Sequence, residues 1–410
     1  MTHRVTLFGR GIGQLAADRA RLTFTYGQDS LGDPRLVPLS VRLPVRPEPY
    51  WDADARPFFE NLLPEDEFRR LIAMGLGLSP GNTAGLLGAI GGECAGAVSI
   101  WPADAAPPAV PEYRDLDDDD LRALFAVPGD DALVEAQREG RLSLAGAQAK
   151  LTLRQTADGW RLPLNGAPAT HILKRTRLGV PHLAENEFLC MRLARAVDLP
   201  TPDVGLLDLG IPVLVVRRFD RIATDESIER LHQEDFCQAT GVLPQDKYEA
   251  EGGPSLASCV EVLRRFSALP IADIDLLLRW VAFNYLVGNE DAHGKNLALL
   301  YTADGIRLAP FYDLVSSKVY QGLSRKAAMG IGGERRYAFV ERRHWERLAE
   351  ALSLRVPAVR RALVRTADSV GSVLDEAVGT AAEAAGEVPI LDAVRAGVRE
   401  RLTRLKREMP

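Results

Sequence analysis

Apolar and polar positions in the first hundred residues predict short strands followed by short helices. Four runs within residues 3–45 (RVTLFG, GQLAA, RLTFTYG and LVPLSVRLPV) are rich in β-branched and aromatic residues, and Gly, Asp and Pro separate them. Such runs predict strands. Residues 58–78 carry large apolar side chains at near-helical spacing, and an acidic turn follows the break at Pro64, which predicts helix. Residues 81–100 predict a short helix, glycine turns and a final strand.

A linker-like segment divides the chain. Residues 102–120 are rich in Pro, Ala and Asp, a composition typical of linkers. This segment separates a predicted β-rich N-terminal domain at 1–101 from a second predicted domain at 121–410. The length of 410 residues exceeds what one hydrophobic core usually supports, so the length also favours two domains.

Within the second domain, predicted strands come first and predicted helices later. The predicted strands lie at 149–155, 159–164, 170–175 and 211–219, with a helix at 184–197 before the last of them. From about Gln233 onward the pattern is mostly helical. We therefore expect an α+β fold whose second domain has an N-lobe at about 121–220, a C-lobe at about 221–410, and a cleft between them.

Composition narrows the class of protein. Hydrophobic residues make up 46% of the chain and the formal net charge is -6, so no overall basic field favours direct binding to nucleic acid. No apolar run approaches the length of a bilayer span, so we expect no membrane partner. The cysteines form no CxxC pair, which favours reduced thiols in a cytoplasmic protein over a disulfide framework. They are Cys94, Cys190, Cys237 and Cys259.

The stretch GNEDAHGKN, residues 288–296, follows a strongly apolar helical run. It holds Asp291 and Asn296 five positions apart, the spacing of kinase catalytic loops. Phosphoryl transfer needs a carboxylate to accept the proton of the attacking hydroxyl and an amide oxygen to hold magnesium. Asp and Asn are also common in solvated turns, so this spacing alone leaves both interpretations open.

Three residues elsewhere favour the kinase interpretation. The hairpin predicted around Asp304-Gly305 ends at Asp313, where kinases place their main magnesium ligand, although the tripeptide reads FYD rather than DFG. Lys174 ends an apolar strand and Glu187 lies on the next predicted helix. That order matches the ion pair that positions nucleotide phosphates in kinases.

Two glycine-containing segments are candidates for binding phosphate. In SLAGAQAK, residues 143–150, Gly146 and small alanines would let backbone N–H groups approach a phosphate, and Lys150 would add charge. A plain β-turn is the alternative for this segment. GRGIGQ, residues 9–14, lacks a complete GxGxxG and precedes a strand rather than a helix, so it predicts a hairpin turn.

Taken together, these motifs resemble the HipA family of bacterial serine/threonine kinases along nearly the whole chain. GQLA, LSVRLP, FFENLLPE and GGECAGAVSI resemble the family's N-terminal β-rich domain. SLAGAQAKL, THILK, ENEFLC, VVRRFDR, QEDFCQATG, KYEAEGGPS, GNEDAHGKN and LAPFYDL follow in the order of its kinase domain. The resemblance implies a two-lobed, mostly helical kinase domain with a distant likeness to lipid kinases.

The resemblance also implies a role for individual residues. Asp291 would be the general base, Asn296 and Asp313 the magnesium ligands, and Ser143 a site of autophosphorylation that expels the phosphate loop. The hinge at 217–219 would contact adenine through its main chain, so the arginine at 217 matters little. The implied ATP contacts are Ala145, Gly146, Ala147, Gln148, Ala149, Lys150, Lys174, Glu187, Arg217, Arg218, Phe219 and His293.

The implied function is that of an ATP- and magnesium-dependent protein kinase, the toxin of a toxin–antitoxin pair. Its partner would be a HipB-like helix-turn-helix antitoxin, through which alone it would meet DNA. Its substrate would be an aminoacyl-tRNA synthetase, whose inhibition slows translation. A small-molecule kinase and a catalytically silent corepressor of the antitoxin are the alternatives.

Overall fold

The computed structural model describes residues 1–19, 21–105, 107–126, 130–146, 148–176, 179–224 and 227–408. The N-terminal unit is built around an antiparallel sheet of β1 (Thr2–Leu7), β2 (Arg10–Asp18), β3 (Arg21–Tyr26) and β4 (Val98–Pro102), in spatial order β3-β2-β1-β4. Phe8 and Gly9, with φ of 51° and 75°, form the two-residue turn between β1 and β2. Positive φ at both positions suits the twist of a tight hairpin. The hairpin predicted for GRGIGQ is confirmed.

Four helices complete this unit: α1 (Gln28–Leu31), α2 (Asp52–Glu60), α3 (Asp66–Gly75) and α4 (Thr83–Ile90). The helix predicted over 58–78 is therefore two helices, and the non-helical segment between them contains Pro64. The strand predicted at 36–45 is wrong. Only an isolated bridge between Ser40 and Leu43 forms there, because Pro38 and Pro44 lack the N–H groups that a strand pairs through.

The next unit contains a six-stranded antiparallel sheet in the order β5-β7-β6-β8-β10-β9. Its elements are β5 (Glu112–Leu116), α5 (Asp118–Phe125), α6 (Asp131–Gly140), β6 (Lys150–Thr156), β7 (Gly159–Leu164), β8 (His171–Arg175), α7 (Leu183–Ala196), β9 (Val204–Asp208) and β10 (Pro212–Arg217). All four predicted strands are present, whereas β5 and β9 were not predicted. The segment 102–120 is not only a linker, because β5 pairs with β7 at the edge of this sheet. We therefore propose that the second domain begins at or before Glu112.

The rest of the chain is mostly helical. Its elements are β11 (Arg221–Ala223), β12 (Ile228–Arg230), β13 (His232–Asp235), α8 (Phe236–Thr240), α9 (Leu256–Phe266), α10 (Pro270–Val287), β14 (Ala298–Thr302), β15 (Gly305–Leu308), α11 (Arg342–Ala351), α12 (Val356–Ala385) and α13 (Pro389–Glu408). Helix α12 packs against α7, α10 and α13. Strands β14 and β15 form the predicted hairpin, which pairs with β13. A lobe boundary near residue 220 stays a prediction.

The six-stranded sheet contributes side chains to two hydrophobic cores. Leu214 and Val216 of β10 join the core of the helical region, whereas Val213 packs with the core of the N-terminal unit. Successive residues of a strand point to opposite faces, so the sheet lies between the two cores. The four cysteines are buried free thiols. Among the described residues, no helix is both long and apolar enough to span a membrane.

Candidate active site

The predicted site residues surround a cavity of about 310 Å³ between the six-stranded sheet and the helical region. The N-terminal unit closes part of its wall through Asn61, Leu62 and Glu65. The predicted residues that line the cavity are Ala145, Gly146, Gln148, Lys150, Lys174, Glu187, Arg217, Arg218, Phe219, Asp291, His293, Asn296 and Asp313. A kinase site requires such convergence of residues that lie far apart in the sequence.

Lys174 connects the sheet, the following helix and the loop beyond the C-terminal hairpin. Its Nζ lies 2.8 Å from Glu187 Oε1 and also donates to Asp313 Oδ1. The Lys174 side chain is 7% exposed and that of Asp313 40%, so the acid opens toward the cavity while the lysine is enclosed. Asp313 has a φ of 54°, a left-handed conformation that Asp adopts more readily than most residues. The ion pair expected from the order of Lys174 and Glu187 is present.

Burial and ion pairing shift the pKa values of Lys174, Glu187 and Asp313 in opposite directions. Burial raises the pKa of Glu187 to about 7, despite the nearby Lys174 ammonium. Burial also opposes ionisation of Asp313, but Lys174 and Lys150 outweigh it and hold the pKa of Asp313 well below its usual value. The pKa of Lys174 is raised because Asp313 and Glu187 overcome the effect of its burial. Asp313 is therefore an anion at neutral pH, ready to meet a cation.

Asp291 stands at the mouth of the same cavity, in the loop that follows α10. Its backbone N–H donates to Asn289 Oδ1 at 3.1 Å, which fixes the start of the loop. Its carboxylate accepts a hydrogen bond of 2.9 Å from the Tyr248 hydroxyl. A hydroxyl group thus already reaches Asp291 at a distance suited to proton transfer. Next to it, burial lowers the pKa of His293 to about 4, so this imidazole is neutral.

Asn296 and Asp313 fit the needs of a magnesium ion. Asn296 Oδ1 is buried and has no hydrogen-bond partner among the described residues, which is costly unless a ligand completes it. Both residues line the cavity and present oxygen atoms, the donors that Mg²⁺ prefers. The described part of the chain holds no cluster of three or more His, Cys, Asp or Glu residues suited to a metal. Few protein ligands are typical of magnesium bound together with nucleotide phosphates.

Most of the predicted phosphate loop borders the cavity. Ala145, Gly146, Gln148 and Lys150 line it, whereas Ala149 packs against the core of the N-terminal unit. Ala147 lies outside the described residues. Lys150 Nζ lies directly over Gly146, where a Cβ would approach it to 2.6 Å. Burial lowers the pKa of Lys150 to about 8.

The predicted hinge, residues 217–219, crosses the rear of the cavity. The N–H groups of Arg217 and Arg218 donate to the carbonyls of Asp203 and Thr170, at 2.9 Å each. The Arg218 guanidinium is also occupied, because it pairs with Glu93 and Asp220. The Phe219 ring stacks on Tyr312 with centroids 5.8 Å apart. Of the three hinge N–H groups, that of Phe219 is the one without a partner among the described residues.

Ser143 does not line the cavity. It is fully buried, and its Oγ donates to the carbonyl of Leu62 at 2.8 Å. Its own N–H donates to the carbonyl of Glu93 at 2.8 Å. In this conformation the hydroxyl is inaccessible, so phosphorylation at Ser143 would first require the loop to break its contacts with Leu62 and Glu93.

The sequence reasoning missed a second lysine centre beside the catalytic loop. Lys295 Nζ lies 2.6 Å from Asn61 Oδ1, 3.0 Å from Asp235 Oδ2 and 3.7 Å from Glu65 Oε1. Glu65 Oε2 in turn lies 2.7 Å from Lys247 Nζ. One signal was present: Asn61 is a polar residue among the large apolar side chains of FFENLLPE, a position that is consistent with a buried hydrogen-bonding role.

Comparisons with known proteins agree with this geometry. Residues 142–374 match the model of the HipA-like C-terminal domain, and residues 3–101 match that of the HipA N-terminal domain. The chain belongs to the HipA family. It is 42% identical over 382 residues to the putative kinase Y4mE of Sinorhizobium fredii, across 90% of either chain. It is 32% identical over 336 residues to the serine/threonine-protein kinase toxin HipA of Shewanella oneidensis, covering 79% of this chain and 77% of that relative.

A solved structure extends the likeness to the whole fold. HipA from the Shewanella oneidensis complex of HipA, HipB and operator DNA superposes with a TM-score of 0.84 at 27% identity. The match covers 99% of this chain and 97% of the Shewanella chain. The α+β architecture expected from the sequence is therefore confirmed, and this HipA-family chain is a kinase.

Proposed function

We propose that this HipA-family chain is an ATP- and Mg²⁺-dependent protein serine/threonine kinase and the toxin of a type II toxin–antitoxin pair. Its substrate class is proposed to be an aminoacyl-tRNA synthetase, whose phosphorylation halts charging and slows growth. One observation carries the proposal. A single cavity collects the Lys174–Glu187 pair, the exposed acid Asp313, the unpartnered amide oxygen of Asn296 and the candidate base Asp291.

The residues divide the work of phosphoryl transfer between binding and proton removal. Lys174 and Lys150 supply positive charge beside the phosphates, and Asn296 and Asp313 would hold magnesium. The metal supplies neutralisation of the charge that develops on the transferred group. Asp291 orients the acceptor hydroxyl and takes up its proton, in the position where it now accepts from Tyr248. Phe219 offers its N–H and ring at the adenine side.

The antitoxin is proposed to be a HipB-like helix-turn-helix protein. Support comes from the Shewanella oneidensis structure, which contains HipA, HipB and operator DNA and matches this chain over nearly its full length. The formal net charge of -6 favours contact with DNA through such a partner rather than by this chain alone. We also propose that this antitoxin docks on the N-terminal unit.

Ser143 is proposed as a site of autophosphorylation that silences the enzyme. A phosphate would add roughly -1.5 to -2 charges at neutral pH. Ser143 is completely enclosed and bonded to Leu62, so the modified loop has no room to return. Intact mass spectrometry of cell-made protein should show a phosphorylated fraction that binds ATP weakly. Equal ATP binding by both fractions would contradict loop expulsion.

The proposed function is tested by labelling. Purified protein, Mg²⁺ and γ-³²P-ATP are incubated with a cell lysate that contains both proteins and metabolites, and Asp291→Asn serves as the control. We expect label on the serine or threonine of an aminoacyl-tRNA synthetase, and loss of its charging activity. Label confined to metabolites would make the chain a small-molecule kinase. ATP binding with no transfer would make it a silent corepressor.

A further inference from the structure

The segment between α2 and α3, residues Asn61–Glu65, belongs to the N-terminal unit but reaches into the kinase cavity. Asn61, Leu62 and Glu65 all line it. Asn61 and Leu62 form a turn at the end of α2, and Pro64 interrupts the helical pattern before α3 begins, so the segment is a non-helical connection between the two helices. We call residues 61–65 the N-terminal strut.

One side of the strut holds the phosphate loop. The Leu62 carbonyl accepts from Ser143 Oγ at 2.8 Å, and the Glu65 N–H donates to the Gly146 carbonyl at 3.1 Å. Pro64 and Gly146 also form an isolated parallel bridge. These contacts anchor the phosphate loop at Ser143 and at Gly146.

The other side of the strut holds the catalytic region. Asn61 Oδ1 accepts a hydrogen bond of 2.6 Å from Lys295 Nζ. Lys295 immediately precedes Asn296 in the catalytic loop. Glu65 lies between two ammonium groups, 2.7 Å from Lys247 and 3.7 Å from Lys295. Lys247 precedes Tyr248, whose hydroxyl donates to Asp291.

Asn61 is itself firmly held, so it can act as a fixed point. Its Nδ2 donates to the carbonyl of Pro57 at 2.7 Å, within its own helix, and to that of Val242 at 2.8 Å across the domain boundary. An amide whose oxygen and nitrogen are both engaged has one orientation. The Asn61 side chain therefore has a fixed position, and it can hold Lys295 in place.

We propose that the N-terminal strut is a positioning element of the active site, in which Glu65 and Asn61 hold the phosphate loop and the catalytic loop at a fixed separation. The N-terminal unit then contributes to nucleotide binding directly, in addition to any docking role. This inference rests on the ATP site of the proposed function. A phosphate cradle gains affinity from being held in place before the ligand arrives, so a loosened strut weakens ATP binding.

The test compares Glu65→Gln and Glu65→Ala with wild type in the full chain. Glu65→Gln keeps the shape and an acceptor for Lys247 while removing the charge, so it folds even if Glu65→Ala does not. We expect the KM for ATP and the Kd of Mg²⁺ with β,γ-imido-ATP to rise about tenfold, because an amide in place of the carboxylate weakens the charge-assisted contact with Lys247. We expect kcat to fall by less than KM rises, since Asp291 is untouched.

Amide hydrogen exchange without nucleotide gives a second readout. Peptides that cover residues 143–150 should exchange faster in Glu65→Gln than in wild type, while those of the β1–β2 hairpin keep their rates. This arm does not depend on ATP. If wild type binds no ATP yet the exchange changes, the proposed function fails and the mechanical link between the strut and the loop survives.

Ser99→Ala is the matched control. It removes another, partly buried contact between the N-terminal unit and the rest of the chain, the 2.5 Å hydrogen bond from Arg230 to Ser99 Oγ, and neither residue lines the cavity. We expect this variant to keep the wild-type KM and exchange rates. If Glu65→Gln behaves like Ser99→Ala in both measurements, the strut is an ordinary domain contact and the proposal is overturned.

Discussion

Two buried lysines in this protein have similar partners and different surroundings. Lys174 pairs with Glu187 and Asp313, all from the kinase unit. Lys295 pairs with Asp235 of the same unit but also contacts Asn61 of the N-terminal unit. The Asp313 side chain is 40% exposed in the cavity, whereas the Asp235 side chain is 11% exposed.

Because the two acids differ in exposure, the two lysine–carboxylate groups are suited to different roles. An exposed acid can exchange its lysine for another cation, so the Lys174 centre can take part in binding and reaction. The Lys295 ammonium also borders the cavity, but Asn61, Asp235 and Glu65 surround it, and removing it leaves a buried carboxylate without its partner. We therefore propose that the Lys295 centre sets positions and that the Lys174 centre meets the nucleotide. Three experiments probe this division.

The largest effect is expected from Asp313→Ala. The change removes the exposed acid of the Lys174 centre and leaves Lys174 paired with Glu187. Phosphotransfer should fall by roughly 10³-fold, as for loss of a main electrostatic contact to the transition state. The thermal shift that MgATP gives wild type should disappear. A retained shift would mean that the metal site is misassigned.

A pair of variants, Lys295→Met and Lys174→Met, separates stability from activity. Lys295→Met leaves the enclosed Asp235 without its cation and Glu65 with Lys247 alone, so the free energy of unfolding should fall by about 3 kcal/mol. Lys174→Met should cost less, because Asp313 reaches solvent and Glu187, with its pKa already near 7, can bind a proton. Urea unfolding of both proteins, followed by circular dichroism, measures this. Equal losses would contradict the division between the two centres.

The smallest effect concerns Lys150 and pH. Its pKa is lowered to about 8 by burial, so the free enzyme loses this cation as pH rises through 8. The attraction for phosphate weakens with it, and kcat/KM for ATP should decline several-fold between pH 7 and 9. Lys150→Arg keeps its charge over this range and should flatten the profile. A wild-type profile that is already flat would show that Lys150 does not meet the phosphates.

The same comparison explains what the sequence could predict. Sequence motifs and their order along the chain were enough to predict that five residues share a cleft. These residues are Lys174, Glu187, Asp291, Asn296 and Asp313. The hairpin β14–β15 was predictable for the same reason, since Asp304-Gly305 separates two apolar runs. Each of these inferences used local pattern plus chain order.

The Lys295 centre could not be predicted in that way. Asn61 and Lys295 are 234 residues apart, and neither carries a local signal of the other. Strand β9 was missed because its sequence, VGLLD, is short and does not alternate, and its pairing with β10 decides its state. The burial of Ser143 likewise depends on Leu62, in another unit. The features of the site that the motifs did not predict depend on contacts between the N-terminal unit and the rest of the chain.

We propose that Asp291 accepts the proton of the attacking hydroxyl, and that other residues of the cavity bind the nucleotide. Single-turnover transfer from γ-³²P-ATP, measured for wild type, Asp291→Ala and Asp291→Asn beside the MgATP thermal shift, tests it most directly. We predict that both variants lose about 10³-fold in transfer while the thermal shift stays at its wild-type size. Transfer at the wild-type rate in either variant would contradict the account, because the group that takes the proton would then lie elsewhere.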